Sequence, residues 1–170
     1  MLLIRLLPLL LWSSFIFAQS YQTPDSTTIP KKLDSLERLI IVSHFPTRVH
    51  AIADEKESAL YHWKHNTAIL SEVDEIIIEE FGAYIYYNNQ WNLRTSFPAK
   101  ELNKLFGTKK ATLKQGQPYT FEQNWRSGSQ VFGGWAMWYF IGKTSTGKRV
   151  CGYQQLETTN KILPKIITNE

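Results

Sequence analysis

The stretch from Glu75 to Leu93, EIIIEEFGAYIYYNNQWNL, decides the fold. Its β-branched and aromatic residues predict strand over 75–80 and 83–87. Gly82 lies between these segments and predicts a bulge or bend within one long strand. Asn88 and Asn89 tolerate a positive φ, which a two-residue hairpin turn requires. We therefore expect the chain to reverse at these two asparagines and to pair with the residues that follow.

The two-residue turn also predicts which side chains face each other across the hairpin. The expected pairs are Tyr86 with Trp91, Tyr84 with Leu93, and Ala83 with Arg94. Because alternate strand residues point to opposite faces, Tyr84, Tyr86 and Trp91 should share one face and Arg94 should lie on the other. An antiparallel sheet often leaves one face open, so the three rings predict a contact platform, and Arg94 is expected to be structural.

The C-terminal third contains further predicted strands over 112–122, 134–142 and 149–159, the last two joined by a hairpin loop at 143–148. The run WAMWYFIG, from Trp135 to Gly142, is apolar at both alternating sets of positions. Such a run is typical of a central strand that is covered on both faces.

Three segments have helical patterns, over 31–42, 51–63 and 98–106. The first has Leu33, Leu36 and Ile40 at helical spacing. The second is rich in alanine and glutamate, which are good helix formers, and the third has Pro98 at its start and Gly107 at its stop. The expected fold is therefore α+β: a single domain in which a curved antiparallel sheet of about five to seven strands is wrapped by two or three helices.

The N-terminus, MLLIRLLPLLLWSSFIFAQS, has the layout of a secretory signal peptide, with one positive charge, an apolar run and small residues at its end. The expected organisation is a signal peptide at 1–20, a flexible lead-in at 21–30, one domain at 31–160 and a C-terminal tail at 161–170. The mature protein is expected to be periplasmic or secreted. No later run reaches the roughly 18 apolar residues of a membrane helix, so no transmembrane segment is expected in it.

The charge and the cysteine content argue against a nucleic-acid partner, an intramolecular disulfide and a cysteine nucleophile. The chain has 19 basic and 15 acidic residues, and the basic residues are scattered, so a nucleic-acid partner is not expected. Cys151 is the sole cysteine and cannot form an intramolecular disulfide. A lone cysteine in a strand is more often a small core residue than a nucleophile.

The stretch YHWKHNT, from Tyr61 to Thr67, places His62 and His65 three residues apart. Two such histidines share a face only on a helix, and this stretch lies where the helical pattern changes to a strand pattern. A zinc site needs three or four ligands, and no third ligand has a matching spacing. We expect these histidines to pack near the predicted helix end, and we expect neither a metal nor another cofactor.

Aromatic residues make up 14% of the chain, and five of the six tryptophans lie after the predicted signal peptide. Tryptophan and tyrosine often form flat, amphipathic contact surfaces. Trp125 and Arg126 lie in a segment rich in glycine and serine, where functional groups are common. The alternative for Trp125 is that it covers a sheet edge.

The sequence thus predicts a non-catalytic, exported module that binds a small ligand or a protein. The predicted binding residues are Tyr84, Tyr86, Trp91, Trp125 and Arg126. The expected partner is an envelope glycan or an envelope protein. The alternative function is a cell-envelope hydrolase or metal-dependent enzyme that uses His62, His65 or Cys151.

Overall fold

The computed structural model describes residues 21–57 and 59–164. The predicted signal peptide at 1–20 and positions 165–170 of the predicted tail lie outside these residues. The described residues are mostly β, with 57% strand and 8% helix. Within the described ranges, no helix combines the length and the apolar character needed to cross a membrane.

The described residues form two short helices and twelve strands, and the strands range from 2 to 14 residues in length. The helices are α1 (Lys31–Asp34) and α2 (Ala99–Phe106). The strands are β1 (Glu37–Arg38), β2 (Ile40–Phe45), β3 (Arg48–Ala53), β4 (Tyr61–Trp63), β5 (Asn66–Ser71), β6 (Glu75–Tyr87), β7 (Gln90–Pro98), β8 (Thr112–Lys114), β9 (Tyr119–Phe121), β10 (Arg126–Gly128), β11 (Gly134–Thr144) and β12 (Arg149–Ile162).

The strands form one strongly curled sheet and one small sheet. The main sheet has the order β10-β4-β3-β12-β11-β6-β7, with β1 beside β12 and β8 beside β6. Strands β1 and β3 run parallel to β12, whereas the other pairs are antiparallel. The small sheet has the order β2-β5-β9. The predicted α+β fold of an antiparallel sheet wrapped by two or three helices is therefore wrong, because the described helices are short and much of the cover comes from the second sheet.

The predicted helix at 31–42 is wrong beyond its first turn. Helix α1 ends at Asp34, and the chain then forms β1 and β2. Ile40 and Val42 are buried while Ile41 is exposed, which is the alternation of a strand with one covered face. The β-branched residues of β2 pair with β5. The stability gained from this pairing is larger than the weak helical preference indicated by three apolar positions at helical spacing.

The predicted helix at 51–63 is also wrong, because this segment forms the end of β3 and all of β4. Val49 and Ala51 alternate with more exposed neighbours, as strand residues do. Trp63 is fully buried against these two residues and Leu156. Helix propensity differs by only tenths of a kcal/mol between ordinary residues, so the burial of this tryptophan and the pairing of β3 with β12 decide the conformation.

The predicted helix at 98–106 is confirmed as α2. Pro98 precedes its first residue, and Gly107 follows it with a φ of 68°, the left-handed conformation that glycine accepts without strain. The helix buries Leu102 and Phe106 against β6 and β9. The predicted strand at 112–122 is divided between the two sheets, since β8 pairs with β6 and β9 pairs with β5.

The predicted central hairpin is confirmed. Asn88 and Asn89 have φ values of 53° and 58°, and β6 pairs with β7 across them. Tyr86 faces Trp91 and Tyr84 faces Leu93 as expected, but Ala83 faces Thr95 instead of Arg94. Gly82 lies within one long strand, as predicted, but the β6–β7 register shift falls one residue further on, between Ala83 and Tyr84, and makes Arg94 the extra residue of β7.

Strand β11 is central, between β6 and β12, as predicted. Its outer face carries Met137, Tyr139 and Ile141, which pack under the N-terminal segment through Leu33. Its inner face carries Phe140, which packs with Phe81, Phe106 and residues of the small sheet. The outer face is thus covered by the segment around α1, and the inner face around Phe140 is covered by α2 and the small sheet. The predicted strand at 149–159 is confirmed as β12, and it is joined to β11 by a hairpin loop as expected.

Candidate functional site

The inner, concave face of the main sheet encloses a cavity of about 680 Å³. Such a volume lies within the range of small-molecule pockets in proteins. Residues that pair across β6, β11 and β12 form its floor, as in the row Ile85, Ala136 and Leu156. Its remaining apolar wall consists largely of aromatic and leucine side chains, namely Phe97, Leu105, Phe121, Phe132 and Trp138.

The curl of the sheet brings its two terminal strands to the same cavity. Strand β7 contributes Arg94 and strand β10 contributes Arg126, although these strands lie at opposite ends of the sheet order. Both arginines line the same cavity, and burial, to which the charge of Arg94 adds, lowers the pKa of Arg126. We call Arg94 and Arg126 the arginine pair.

Arg126 is held in place by a hydroxyl group and two rings. Its Nη1 donates a 2.7 Å hydrogen bond to the Thr158 hydroxyl, which in turn donates to the Gly134 carbonyl at 3.2 Å. Its guanidinium carbon lies 3.8 Å from the centre of the Phe132 ring and 5.1 Å from that of Trp63. Burial, together with the Arg94 charge, lowers the pKa of Arg126 to about 10, so the group remains charged at neutral pH.

Neither member of the arginine pair forms a salt bridge within residues 21–57 and 59–164. Glu101, from the first turn of α2, is the single acidic residue of the described cavity wall. Arg48 and Arg149, in contrast, each contact a glutamate at 3.1 Å. The cavity wall therefore carries one more positive than negative charge.

Two residues of the cavity wall have a buried polar atom without a hydrogen-bond partner in the described part of the chain, His65 and Trp135. The Nδ1 of His65 donates to the Trp63 carbonyl at 3.2 Å, so its unpartnered Nε2 is an acceptor in the neutral ring. Burial lowers the pKa of His65 and favours that neutral form. Buried polar atoms are rarely left unpaired in proteins, so each of these two atoms calls for an explanation.

A buried hydrogen-bond chain holds the loop that precedes β10. The Asn124 amide donates to the Thr67 hydroxyl at 2.8 Å, and this hydroxyl donates to Nδ1 of His44 at 3.0 Å. His44 Nε2 donates to the Gln154 carbonyl at 3.1 Å. The chain connects the loop to both sheets, and so it positions Trp125 and Arg126 at the cavity.

The structure separates the predicted binding residues into two groups. Tyr84 is buried under the N-terminal segment, and the Trp91 indole donates to the Thr28 carbonyl at 2.9 Å on the same outer face. Tyr86 packs on Trp91, with ring centres 5.1 Å apart, and also contributes to the cavity wall. Trp125 and Arg126, by contrast, belong to the cavity. Tyr84 and Trp91 therefore lie on a different surface from Trp125 and Arg126, and Tyr86 borders both surfaces.

The segment predicted as a flexible lead-in, at 21–30, covers part of the outer face. Ile29 packs against the outer-face cluster, and Tyr21 lies against Gly133 and hydrogen-bonds to Glu157. The outer-face rings thus contact the chain's own N-terminal residues.

Arg94 is the site residue that sequence reasoning missed, since it was expected to be structural. Its position on the face opposite Tyr84 and Trp91 was predicted, but its approach to Arg126 depends on the curl of the whole sheet. The only feature of the sequence that could have indicated a functional role for Arg94 was its place on the hairpin face opposite the aromatic rings.

His62 joins a serine and an aspartate at the rim of the cavity. The Ser127 hydroxyl donates to His62 Nδ1 at 2.8 Å, and His62 Nε2 donates to Asp54 at 2.8 Å. Hydrogen bonds from Lys56 and Glu57 are the largest cause that lowers the pKa of Asp54, to about 2. Ser127 and His62 pair directly across β10 and β4, and Arg126 pairs with Trp63, so the two pairs point to opposite faces.

The other residues of the alternative enzyme prediction lie in different places. Cys151 is fully buried, and burial raises the pKa of its thiol. His65 is buried in the cavity wall, away from the bonds that His62 makes. In the described ranges, no group of three or more histidine, cysteine and acidic side chains is arranged to hold a metal ion.

Comparison with protein-family models, with curated proteins and with solved structures found no match to this chain. The function of the protein is therefore inferred from the geometry of its own residues.

Proposed function

We propose that this protein is an exported binding module and that it holds one small ligand in the cavity of the curled sheet. The observation that carries this proposal is the cavity itself, about 680 Å³ with largely apolar walls and few polar groups. Binding sites for small molecules combine these properties, because apolar walls supply affinity and a few polar groups set the orientation.

The lack of cover on this part of the inner face supports the proposal. Further along β11, the inner face is buried by α2 and the small sheet, and Phe140 is fully buried there. Near Gly134 the same strand is only partly buried, as Ala136 and Trp138 show. Exposed, concave apolar surface of this kind often marks a binding site.

Binding of a neutral, apolar fluorescent dye such as Nile red tests the proposal without involving charge. Ala136 lies on the cavity floor between Ile85 and Leu156, so the A136F substitution should fill the cavity and abolish saturable binding. A53F is the matched control, because Ala53 is exposed at the end of β3. I85W provides a second way to fill the cavity if A136F does not fold.

The proposal predicts saturable dye binding by the wild type and by A53F, and loss of binding in a folded cavity-filled variant. Circular dichroism and thermal unfolding report whether each variant is folded. Failure of the wild type to bind the dye saturably, or unchanged binding in the folded A136F or I85W variant, would contradict the cavity as the site.

A second candidate function, ester hydrolysis at the protein surface, is favoured by the Ser127, His62 and Asp54 hydrogen bonds. In this arrangement Asp54 orients the imidazole and His62 accepts the proton of the Ser127 hydroxyl, as in serine hydrolases. Ester hydrolysis ranks second because Ser127 and His62 point to the face opposite Arg126, so a ligand held by Arg126 in the cavity would not reach them directly.

Labelling by a fluorophosphonate and hydrolysis of a p-nitrophenyl ester test this second candidate. A hydrolase predicts labelling and turnover in the wild type, and the loss of both in S127A. If the wild type shows neither labelling nor turnover, the hydrogen bonds serve only to connect β10 with the 54–57 segment.

A further inference from the structure

We infer that the ligand of this cavity is a single-chain amphipath with one carboxylate, whose head group lies between Arg94 and Arg126. The apolar chain would lie along the concave wall. This inference rests on the proposed function, because it names the chemical class of ligand for the same cavity.

The first argument is the charge of the arginine pair. Arg94 and Arg126 belong to separate edges of the sheet and repel each other, and this repulsion adds to the burial that lowers the pKa of Arg126. Neither forms a salt bridge with the described acidic residues. An anion between them would remove this repulsion and add charge-assisted hydrogen bonds.

The second argument is the number of hydrogen-bond donors that remain. A guanidinium group has five N–H donors, and within the described residues Arg126 donates one side-chain hydrogen bond, from Nη1 to Thr158. The rings of Phe132 and Trp63 hold the guanidinium plane without using its donors. A carboxylate can accept two parallel hydrogen bonds from such a group.

The third argument limits the ligand to one negative charge. Arg94 and Arg126 supply two positive charges to the wall, and Glu101 supplies one negative charge. A monoanion therefore neutralises the cavity wall, whereas a phosphate monoester, with nearly two negative charges at neutral pH, would leave it with an excess negative charge. This balance favours a carboxylate over a phosphate head group.

The fourth argument concerns the chain. Beyond the arginine pair the wall is apolar, with Ile85, Phe97 and Leu156 among its residues. Burial of each methylene group strengthens binding by roughly fourfold, which is the usual gain of about 0.8 kcal/mol per CH₂. Affinity for linear carboxylates should therefore rise with chain length until the cavity is filled.

Matched twelve-carbon compounds with different head groups, used below their solubility limits and below any critical micelle concentration, test the inference by displacement of Nile red. The probes are dodecanoate, dodecanol, dodecylamine and dodecyl phosphate. We expect dodecanoate to bind about tenfold or more tightly than dodecanol, because charge-assisted bonds are roughly twice as strong as neutral ones. Dodecylamine should be the weakest ligand.

Substitutions of arginine test the role of the pair. R126M should remove the advantage of dodecanoate over dodecanol, because methionine has a similar length but no charge and no N–H donors. R126K should keep only part of the advantage, since lysine retains the charge but lacks the planar fork. R149M is the matched control, because Arg149 pairs with Glu79 and is not part of the described cavity wall.

The outcomes separate the inference from the proposed function. If dodecanoate and dodecanol bind equally well, or if R126M and R126K both fold and keep the full carboxylate advantage, the inference is wrong while the cavity remains the site. Tighter binding of dodecyl phosphate than of dodecanoate would overturn the choice of head group. If neither Nile red nor any of the four compounds binds, the proposed function itself fails.

Discussion

His44 should make the stability of this protein fall as the pH decreases from about 6.5 to about 4, a range that begins above the one in which carboxylates titrate. The ring lies on β2 with only 1% of its surface exposed. Its Nε2 donates to the Gln154 carbonyl, and its Nδ1 accepts from the Thr67 hydroxyl. Burial disfavours the charged ring and, with a smaller contribution from nearby His65, lowers the pKa of His44 to about 4.

The sign and the size of the effect follow from linkage. In the unfolded chain the histidine has its ordinary pKa of about 6.5, so below that pH the unfolded state binds a proton that the folded state does not. The free energy of unfolding therefore falls as the pH decreases from about 6.5 to about 4. A pKa difference of about 2.5 units, at 1.36 kcal/mol per unit, gives a loss of about 3 kcal/mol.

Urea unfolding followed by tryptophan fluorescence at several pH values between about 7.5 and about 4.5 measures this loss. H44Q is the comparison, because glutamine can donate and accept a hydrogen bond but does not titrate. We expect the variant to be less stable than the wild type at neutral pH and to lose less stability as the pH falls. His65 contributes in the same direction in both proteins, since burial also lowers its pKa. An equal loss in both proteins would refute the assignment to His44.

Three further predictions concern the core. G82A should destabilise the fold by about 1 to 3 kcal/mol, because a methyl group there would overlap the Thr95 carbonyl of β7; an unchanged urea midpoint would contradict this. F140A should cost about 3 to 5 kcal/mol, whereas F45A, at a 59% exposed site, should cost about 0.5 kcal/mol or less; equal costs would mean that the core is misplaced. Cys151 should resist a thiol reagent until the protein is unfolded, and rapid reaction of the native protein would show that the thiol is accessible.

Local signals explain which elements could be predicted. Asn88 and Asn89 indicate a hairpin on their own, because few residues accept a positive φ at two successive positions. Pro98 and Gly107 likewise mark the two ends of α2. These predictions were confirmed because each depends on residues that are close in sequence.

The wrong predictions share a different cause. The residues at 51–63 are good helix formers, but the preference amounts to tenths of a kcal/mol per residue. Pairing of β3 with β12, about a hundred residues further along the chain, and the burial of Trp63 outweigh that preference. A segment of this kind cannot be assigned without its tertiary partners.

The candidate site also combines features that depend on residues close in sequence with features that depend on distant parts of the chain. By itself the sequence determined the β6–β7 hairpin, the central strand β11 and helix α2, because backbone conformation and apolar patterning act over a few residues. Only the tertiary structure decided that the N-terminal segment covers the rings of Tyr84 and Trp91. It also decided that Arg94 and Arg126 line one cavity, because the curl of a sheet depends on all its strands together and brings its two edges to the same place.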